Sequence, residues 1–145
     1  MAIRISNMNQ LQKALQPVMK NMVDKLADRV YETLNYYLSG YYTGWTPDSY
    51  SRTEAFLRSA VKVDAYPDSG GVRACVYINY DSMDSYVDAT GYQVALWADS
   101  GSHGGLSGIH KPHVGDDTMR STIINGSLVE LAVKYLRSQG IPVRN

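Results

Sequence analysis

The feature that most constrains the fold of this chain is a long apolar periodicity near its N-terminus. Apolar residues recur there at steps of three and four, a spacing that places them on one face of an α-helix. Asn7 followed by Gln10 predicts the N-cap of this helix, and Gly40 predicts a left-handed C-cap at its other end. The apolar positions are Met8, Leu11, Leu15, Val18, Met22, Leu26, Val30, Leu34 and Leu38.

Pro17 interrupts this pattern. Because proline removes an intrahelical hydrogen bond and its ring clashes with the preceding turn, the sequence predicts a kink that separates a short helix at residues 8–15 from a longer one at 17–39. The helical residues together would extend about 45 Å, whereas a compact domain of this length has a radius of gyration of about 15 Å. We therefore expect residues 1–16 to form an arm that contacts a neighbouring subunit.

A β-hairpin is predicted after this helix. Val61, Val63 and Ala65 alternate with polar residues, and a second alternating run follows a turn at residues 67–71. We expect an antiparallel pair with these apolar residues on one face. Cys75 falls on the opposite face, where we interpret it as a packing residue and not as a reactive thiol. The apolar positions of the second strand are Val72, Ala74, Val76, Ile78 and Tyr80.

The second half of the chain begins with weaker patterns. Residues 81–91 are predicted to form a loop, and residues 92–98 fit either one or two helical turns or a short strand. Residues 101–115 form a second loop that is rich in glycine and contains all three histidines. This loop is long enough to have a function of its own.

A final helix is predicted to begin near Asp116 and Asp117, whose carboxylates suit its N-terminal dipole, and to end at Gly140. Its apolar positions are Met119, Ile123, Leu128, Leu131 and Leu136. The sequence therefore predicts a single α+β domain spanning residues 1–145. We expect the C-terminal helix to pack on a small antiparallel sheet built on the hairpin.

The overall charge excludes several classes of function. Lysine plus arginine and aspartate plus glutamate are both 14, so no positive field favours nucleic acid or anionic lipid. We expect no sequence-specific DNA binding. The one cysteine cannot form an internal disulfide, and no apolar run is long enough to span a membrane. These features predict a soluble cytoplasmic protein without a membrane contact.

Negative charge is concentrated in the second half of the chain. Between Asp81 and Asp117 the only lysine or arginine is Lys111. The acidic residues of this segment are Asp81, Asp84, Asp88, Asp99, Asp116 and Asp117. One interpretation is a solvated loop, because aspartate also favours turns. The other is an acidic surface that faces a polyanion and must not bind it.

No residue pattern predicts catalysis or a cofactor. His103, His110 and His113 could supply ligands for zinc, but their spacing matches no closed metal motif. Ser102 beside His103 lacks the setting of a nucleophile and its base, and the glycines of the loop lack the lysine of a phosphate-binding loop. We therefore expect no enzymatic activity, no metal and no cofactor. A small metal-dependent hydrolase that uses the three histidines is the alternative from another class.

Tyrosine is unusually frequent, with twelve tyrosines against one phenylalanine. Four of them lie near the end of the long helix, namely Tyr36, Tyr37, Tyr41 and Tyr42. Tyrosine combines apolar area with a polar tip, so this cluster suits both a subunit interface and the edge of a core.

Three short segments carry a resemblance to a known family. Their residues are Tyr50, Arg52, Thr53, Leu57 and Ser59, then Ala98, Gly101, His103, Gly104 and Gly105, then Gly140 and Ile141. These segments resemble patterns of the small head-tail joining proteins of long-tailed bacteriophages, a neck family also called minor capsid or tail-completion proteins. Glu54 and Ala55 replace a glycine-containing step that is common in that family.

The resemblance implies a structural protein that forms a homo-oligomeric ring in the phage neck, through which DNA passes. Its partners would be other copies of the chain, the head connector and tail proteins. It would assemble in the host cytoplasm and remain in the virion neck. A tail terminator, which has a similar α+β fold and also forms rings, is the alternative within the virion.

The same resemblance suggests roles for two groups of residues. Asp81, Asp84, Asp88 and Asp99 would face the lumen of the ring, where carboxylates repel phosphate and let DNA slide. The tyrosine cluster and the N-terminal arm would supply the contacts between subunits, which in a ring are heterologous and close by rotation.

Overall fold

A computed structural model describes residues 4–41, 43, 54–83, 88–101 and 112–144. Its helices are α1 (Met8–Tyr41), α2 (Gly91–Ser100), α3 (Val114–Met119) and α4 (Ser127–Ser138), and its strands are β1 (Ala60–Asp68) and β2 (Gly71–Ile78). A 3-10 turn, Tyr80–Ser82, follows β2, and a π-helical turn, Arg120–Ile124, follows α3. The predicted α+β class, with a long N-terminal helix, an antiparallel hairpin and a C-terminal helix, is confirmed.

Helix α1 is a single element of 34 residues that continues through Pro17. The predicted division into two helices is therefore wrong. Lys13, whose carbonyl loses its donor because proline has no N–H, is exposed, as is Pro17. Water can hydrate that carbonyl, which reduces the cost of keeping proline inside the helix.

Both ends of α1 are capped. The cap at the start is the predicted one, and the cap at the end involves a different residue from the predicted Gly40. At the start, the Gln10 N–H donates to Asn7 Oδ1 at 2.9 Å, while the Gln10 side chain accepts from the Ser6 N–H at 2.9 Å. At the end, Gly40 is not the left-handed cap, because the helix includes it and continues to Tyr41. The Thr43 N–H and hydroxyl both donate to the Gly40 carbonyl, at 3.2 and 2.8 Å.

Strands β1 and β2 form the predicted hairpin around a two-residue turn. Ser69 and Gly70 both have positive φ, 46° and 84°, the combination found in type I′ turns. Asp64 and Ala65 together lie opposite Ala74, because Val63 pairs with Cys75 and Tyr66 pairs with Arg73. This extra residue is a β-bulge, and it reverses which residues of β1 face the helix.

The bulge corrects the predicted faces of β1. Val61 pairs with Tyr77 and Val63 with Cys75, so these valines lie on the outer face of the sheet and not with Ala65. Ala65 is buried, whereas Val63 is 39% exposed. The alternation of β2 and the position of Cys75 opposite the core face are as predicted, since Val76 and Ile78 pack against the core.

The hairpin lies along α1 and runs in the opposite direction. The Ala65 N–H donates to Asp24 Oδ1 at 2.6 Å, and the Gln12 side-chain amide donates to the Gly70 carbonyl at the tip of the hairpin. From Asp24 to Gln12 the helix rises about 18 Å, and from Ala65 to Gly70 an extended strand covers about 16 Å. The two elements are therefore matched in length over this contact.

Lys62 makes a further polar contact between β1 and α1. Its ammonium binds Asp28 of α1 and, at 3.1 Å, Asp64 of its own strand. The hydrogen bond to Asp28, followed by that to Asp64, raises the pKa of Lys62 above its usual value. The lysine is therefore charged throughout the physiological pH range.

The main core forms at the C-terminal end of α1. Helix α2 contributes its two alanines to this core, and the start of α3 contributes Val114. The core residues are Leu34, Leu38, Tyr41, Phe56, Met83, Ala95, Ala98 and Val114. Helix α2 settles the helix-or-strand alternative for residues 92–98 and begins with a capping box formed by Thr90 and Gln93.

The C-terminal helical segment differs from the single helix that was predicted. It begins at Val114, two residues before Asp116, and it is interrupted at Gly126, where φ is 80°. Its predicted end is confirmed: Gly140 has a φ of 74°, and the Ile141 N–H donates to the Leu136 carbonyl at 3.0 Å, as in a Schellman motif.

The C-terminal segment packs chiefly on α1 and not on the sheet. The hydroxyls of Tyr37 and Ser121 are hydrogen-bonded at 2.6 Å, and Lys25 Nζ lies 5.9 Å from the centre of the Tyr135 ring. Residues 121 and 135 thus contact α1 in reverse order, so α4 runs antiparallel to α1. Helix α1 is the common support for the hairpin and for α3 and α4.

The structure places Gly40 inside α1 and Gly126 at the break before α4, and substitution tests both placements. Gly40→Ala should raise the free energy of unfolding by about 0.5–1 kcal/mol, because the position is helical and an added Cβ meets nothing within 4 Å. Gly126→Ala has equal space but a φ of 80°, so it should lower stability by about 1 kcal/mol. Chemical denaturation measures both. Equal effects of the two changes would contradict the assigned helix ends.

The contact between α1 and β1 is tested at two aspartates of the same helix. Asp24→Ala should cost about 1.5–3 kcal/mol, because the N–H of the buried Ala65 loses a charged acceptor. Asp28→Ala is the matched control and should cost at most about 1 kcal/mol, since the Asp28 side chain is 52% exposed and Lys62 keeps Asp64. Denaturation midpoints compare them. A larger loss for Asp28→Ala would show that the ion pair, and not the backbone contact, holds the hairpin.

Candidate interaction surfaces

The acidic segment is only partly available for a charged surface. Asp81 and Asp88 are exposed, and among the described residues neither forms an ion pair. Asp84 lies outside the described residues. Asp81 belongs to the 3-10 turn, where its backbone N–H donates to Asn79 Oδ1 at 3.1 Å.

Asp99 has a structural contact that its predicted lumen role did not include. Its Oδ1 accepts the Gly115 N–H at 3.2 Å, and its backbone carbonyl accepts the His113 N–H at 2.7 Å. Gly115 lies in the first turn of α3, where backbone N–H groups lack partners within the helix. Asp99 therefore joins the end of α2 to the start of α3.

The histidine loop is described only at its two ends. His103 and His110 lie outside the described residues, together with Gly104 and Gly105. His113 is exposed, has a φ of 67° and precedes α3, and its carbonyl accepts the Asp117 N–H at 2.8 Å. Within the described part of the chain, no group of three or more histidine, cysteine, aspartate or glutamate residues is placed to hold a metal ion.

The residues that carry the family resemblance have structural contacts where they lie in the described part of the chain. Ser59 is fully buried, and its hydroxyl donates to the Phe56 carbonyl at 2.6 Å. Its own carbonyl accepts the Asn79 N–H at 2.7 Å, which joins the chain before β1 to the chain after β2. Leu57 packs against the core. Tyr50, Arg52 and Thr53 lie outside the described residues.

Gly101 is the left-handed C-cap of α2, with a φ of 78°. A Cβ at this position would lie 3.1 Å from Pro112 Cγ, so a larger residue would meet both backbone strain and a close neighbour. Two described positions of the resemblance, Ser59 and Gly101, therefore serve the fold through the backbone and have no group free for chemistry.

The tyrosine cluster divides between core and surface. Tyr41 is buried, and its ring meets Phe56 edge-to-face with centroids 5.1 Å apart. Tyr37 is half-buried and bonded to Ser121. Tyr36 is 72% exposed, and Tyr42 lies outside the described residues. Of the three described members, Tyr36 is therefore the one available for an interface.

A first apolar surface lies on α2 and the 3-10 turn, and we name it the aromatic patch. It consists of Tyr80, Tyr92, Leu96 and Trp97, which are 40–52% exposed. The rings of Tyr80 and Tyr92 meet edge-to-face, with centroids 5.0 Å apart. The small residues Ala95 and Ala98 are buried instead, so the large side chains of α2 face solvent.

A second apolar surface, the aliphatic patch, lies around the π-helical turn. It consists of Met119, Ile123, Ile124 and Val129, which are 50–70% exposed. Met119 and Ile123 were predicted on the buried face of the final helix, and that prediction is wrong. Thr118 and Thr122 are buried in their place, because their hydroxyls donate to the carbonyls four residues earlier, each at 2.7 Å.

These two patches were not predicted from the sequence. One sequence signal pointed to the aromatic patch. In α2 the alanines lie on one face of the helix and the large apolar residues lie on another, and the alanine face is the buried one. An apolar residue on a helical face is normally assigned to a core, so exposure appears only when the packing partners are known.

The absence of a stoichiometric metal remains a prediction that elemental analysis can test. We expect purified protein to contain far less than one zinc ion per chain, because the histidine spacing fits no closed zinc site. A zinc content near one per chain that falls after His103→Ala or His113→Ala would contradict this and favour the hydrolase alternative.

Among the described helices, none has the length and apolar character needed to cross a membrane.

Comparison with known proteins identifies the family of this chain. No curated protein and no solved structure matches the chain. The model of the YomN family matches residues 7–138, nearly the whole chain. That family name is one of a prophage protein. The chain is thus phage-associated and belongs to the YomN family.

Proposed function

We propose that this protein is a structural, non-enzymatic component of the phage neck, where copies of the chain form a ring between the head connector and the tail. The family supports an origin in a phage. The observation that carries the proposal is that one chain exposes large apolar side chains on separate surfaces. Contiguous exposed apolar area of this kind marks sites of association.

Separate surfaces matter because a ring subunit needs two different contacts with its neighbours. The aromatic patch and the aliphatic patch lie on different elements. The outer face of the sheet is a third exposed surface, with Val63, Tyr66 and Tyr77 at 39%, 39% and 47% exposure. A neck protein would also contact a connector on one side and a tail component on the other.

The N-terminal half of α1 supports the proposed arm. The core lies at the far end of the helix, whereas Met8 is 75% exposed. A cleft of about 840 Å³ lies between this part of α1 and the tip of the hairpin, beside the bond from Gln12 to Gly70. Leu11, Leu15 and Met19 line it together with Val72. Apolar side chains grouped in this way suit contact with a neighbouring subunit.

The acidic residues support the passage of DNA. Asp81 and Asp88 are exposed carboxylates, and at the rim of the subunit contacts a ring would repeat their charge around the lumen. A negative lumen repels phosphate and prevents the release of counterions that drives DNA binding. Asp99 is half-buried and its carboxylate is bonded to the Gly115 N–H, so it is less able to face a lumen. The protein would assemble in the host cytoplasm and remain in the virion neck.

The proposal is tested in the phage that encodes the protein. Deletion of the gene should leave DNA-filled heads and separate tails, and antibody against the protein should label the neck of complete wild-type particles by electron microscopy. Restoration by the gene supplied in trans is the control. Complete infectious particles without the protein would contradict a neck role, and tails of irregular length would favour the tail-terminator alternative. Assembled protein should also show no affinity for double-stranded DNA at low salt.

A further inference from the structure

We propose that the subunit contact of the ring joins the aromatic patch of one copy to the aliphatic patch of the next copy. This inference rests on the proposed function, and it names the surfaces that the ring would bury. Two properties of the patches support it, namely their apolar character and the charges around them.

The apolar character is complementary. The aromatic patch offers rings and Leu96 from one helix and a turn, and Tyr80 and Tyr92 hold each other edge-to-face. The aliphatic patch offers flexible and branched side chains, of which Ile124 is the most exposed at 70%. Aromatic anchors that enter an aliphatic surface are typical of the residues that dominate binding energy at interfaces.

The charges around the two patches are opposite. Asp81 follows Tyr80 in the 3-10 turn and Asp88 precedes α2, and both are exposed, while the sequence from Tyr80 to Gly101 contains no lysine or arginine. From Met119 to Arg137 it contains three basic residues, Arg120, Lys134 and Arg137, against the single acid Glu130. Arg120 lies within the π-helical turn, and Lys134 borders a groove that Val129 and Val133 also line. Each patch is therefore flanked by the charge that the other attracts.

The same charges disfavour a contact between two identical patches. A two-fold contact of aromatic patches would bring Asp81 and Asp88 of one copy towards those of the other, and a contact of aliphatic patches would do the same for Arg120. Like charges brought together at an interface cost binding energy. The contact is therefore heterologous, and repetition of a heterologous contact produces a ring when the rotation closes.

The experiment blocks one patch at a time with glutamate, which is compatible with a helix. Leu96→Glu blocks the aromatic patch, and Ile124→Glu blocks the aliphatic patch. Tyr77→Thr is the control, because Tyr77 on the outer sheet face is as exposed as Leu96, at 47%, and threonine suits a strand. Masses are measured by light scattering over a series of concentrations, and thermal unfolding confirms that each variant is folded.

We expect the wild type and Tyr77→Thr to form large oligomers and each glutamate variant alone to be monomeric. An equal mixture of the two glutamate variants should form a 1:1 dimer, because each keeps the patch that the other has lost. If the wild type forms rings and both glutamate variants still do so, the pairing is wrong while the ring of the proposed function stands. A wild type that is monomeric at every concentration overturns both.

A charge exchange supplies a second readout on the same surfaces. Asp81→Lys with Asp88→Lys in one chain, and Arg120→Glu with Lys134→Glu in another, should each abolish self-association. Mixed together, the two chains should form alternating oligomers, since every contact again joins opposite charges. Failure of the mixture to assemble, with both chains folded, would overturn the charge complementarity on which the inference depends.

Discussion

The packing of the hairpin along α1 is the contact on which the rest of this structure depends. A two-stranded sheet is marginal alone and needs a helix to cover its apolar face. Here α1 covers that face over much of its length, with Asp24 bonded to the backbone of β1 at Ala65. The same helix supports α3 and α4 through Tyr37 and its bond to Ser121. Loss of the helix would leave neither group of elements with a partner.

The elements with the strongest periodicity could be predicted from the sequence. The three- and four-residue steps of α1 and the alternation of β2 leave few other structures open, and Gly140 ends the last helix as a glycine after an apolar run should. The bulge at Asp64 and Ala65 could not be predicted. A period of two carries no mark of one added residue, although that residue moves Val61 and Val63 to the other face.

Threonine and glycine show a second limit of sequence patterns. Thr118 and Thr122 are polar residues, but each hydroxyl is hydrogen-bonded to a carbonyl of the same helical segment. The two threonines are therefore buried, while Met119 and Ile123 are exposed. Gly40 looks like a helix end, yet Tyr41 adds a buried ring beyond it and extends the helix. The threonines are decided by bonds inside their own helix, and Tyr41 by its contact with Phe56 in the core.

The candidate surfaces show the same limit more strongly than the fold does. The residue types predicted for function include several that the structure uses internally, such as Asp99 and Tyr41. The aromatic patch and the aliphatic patch instead consist of ordinary apolar residues that a sequence pattern assigns to a core. Their significance depends on which faces α1 and the core leave uncovered.

The contact between Gln12 and Gly70 joins the hairpin to a part of α1 that lies far from the core. Met8 in these first turns is 75% exposed, whereas Leu38 near the other end of the helix is fully buried. The first turns of α1 should therefore lose their order before the rest of the helix. Amide protons should exchange with solvent along a gradient, fastest near Met8 and slowest near Leu38, so that one continuous helix combines a rigid end with an adaptable one.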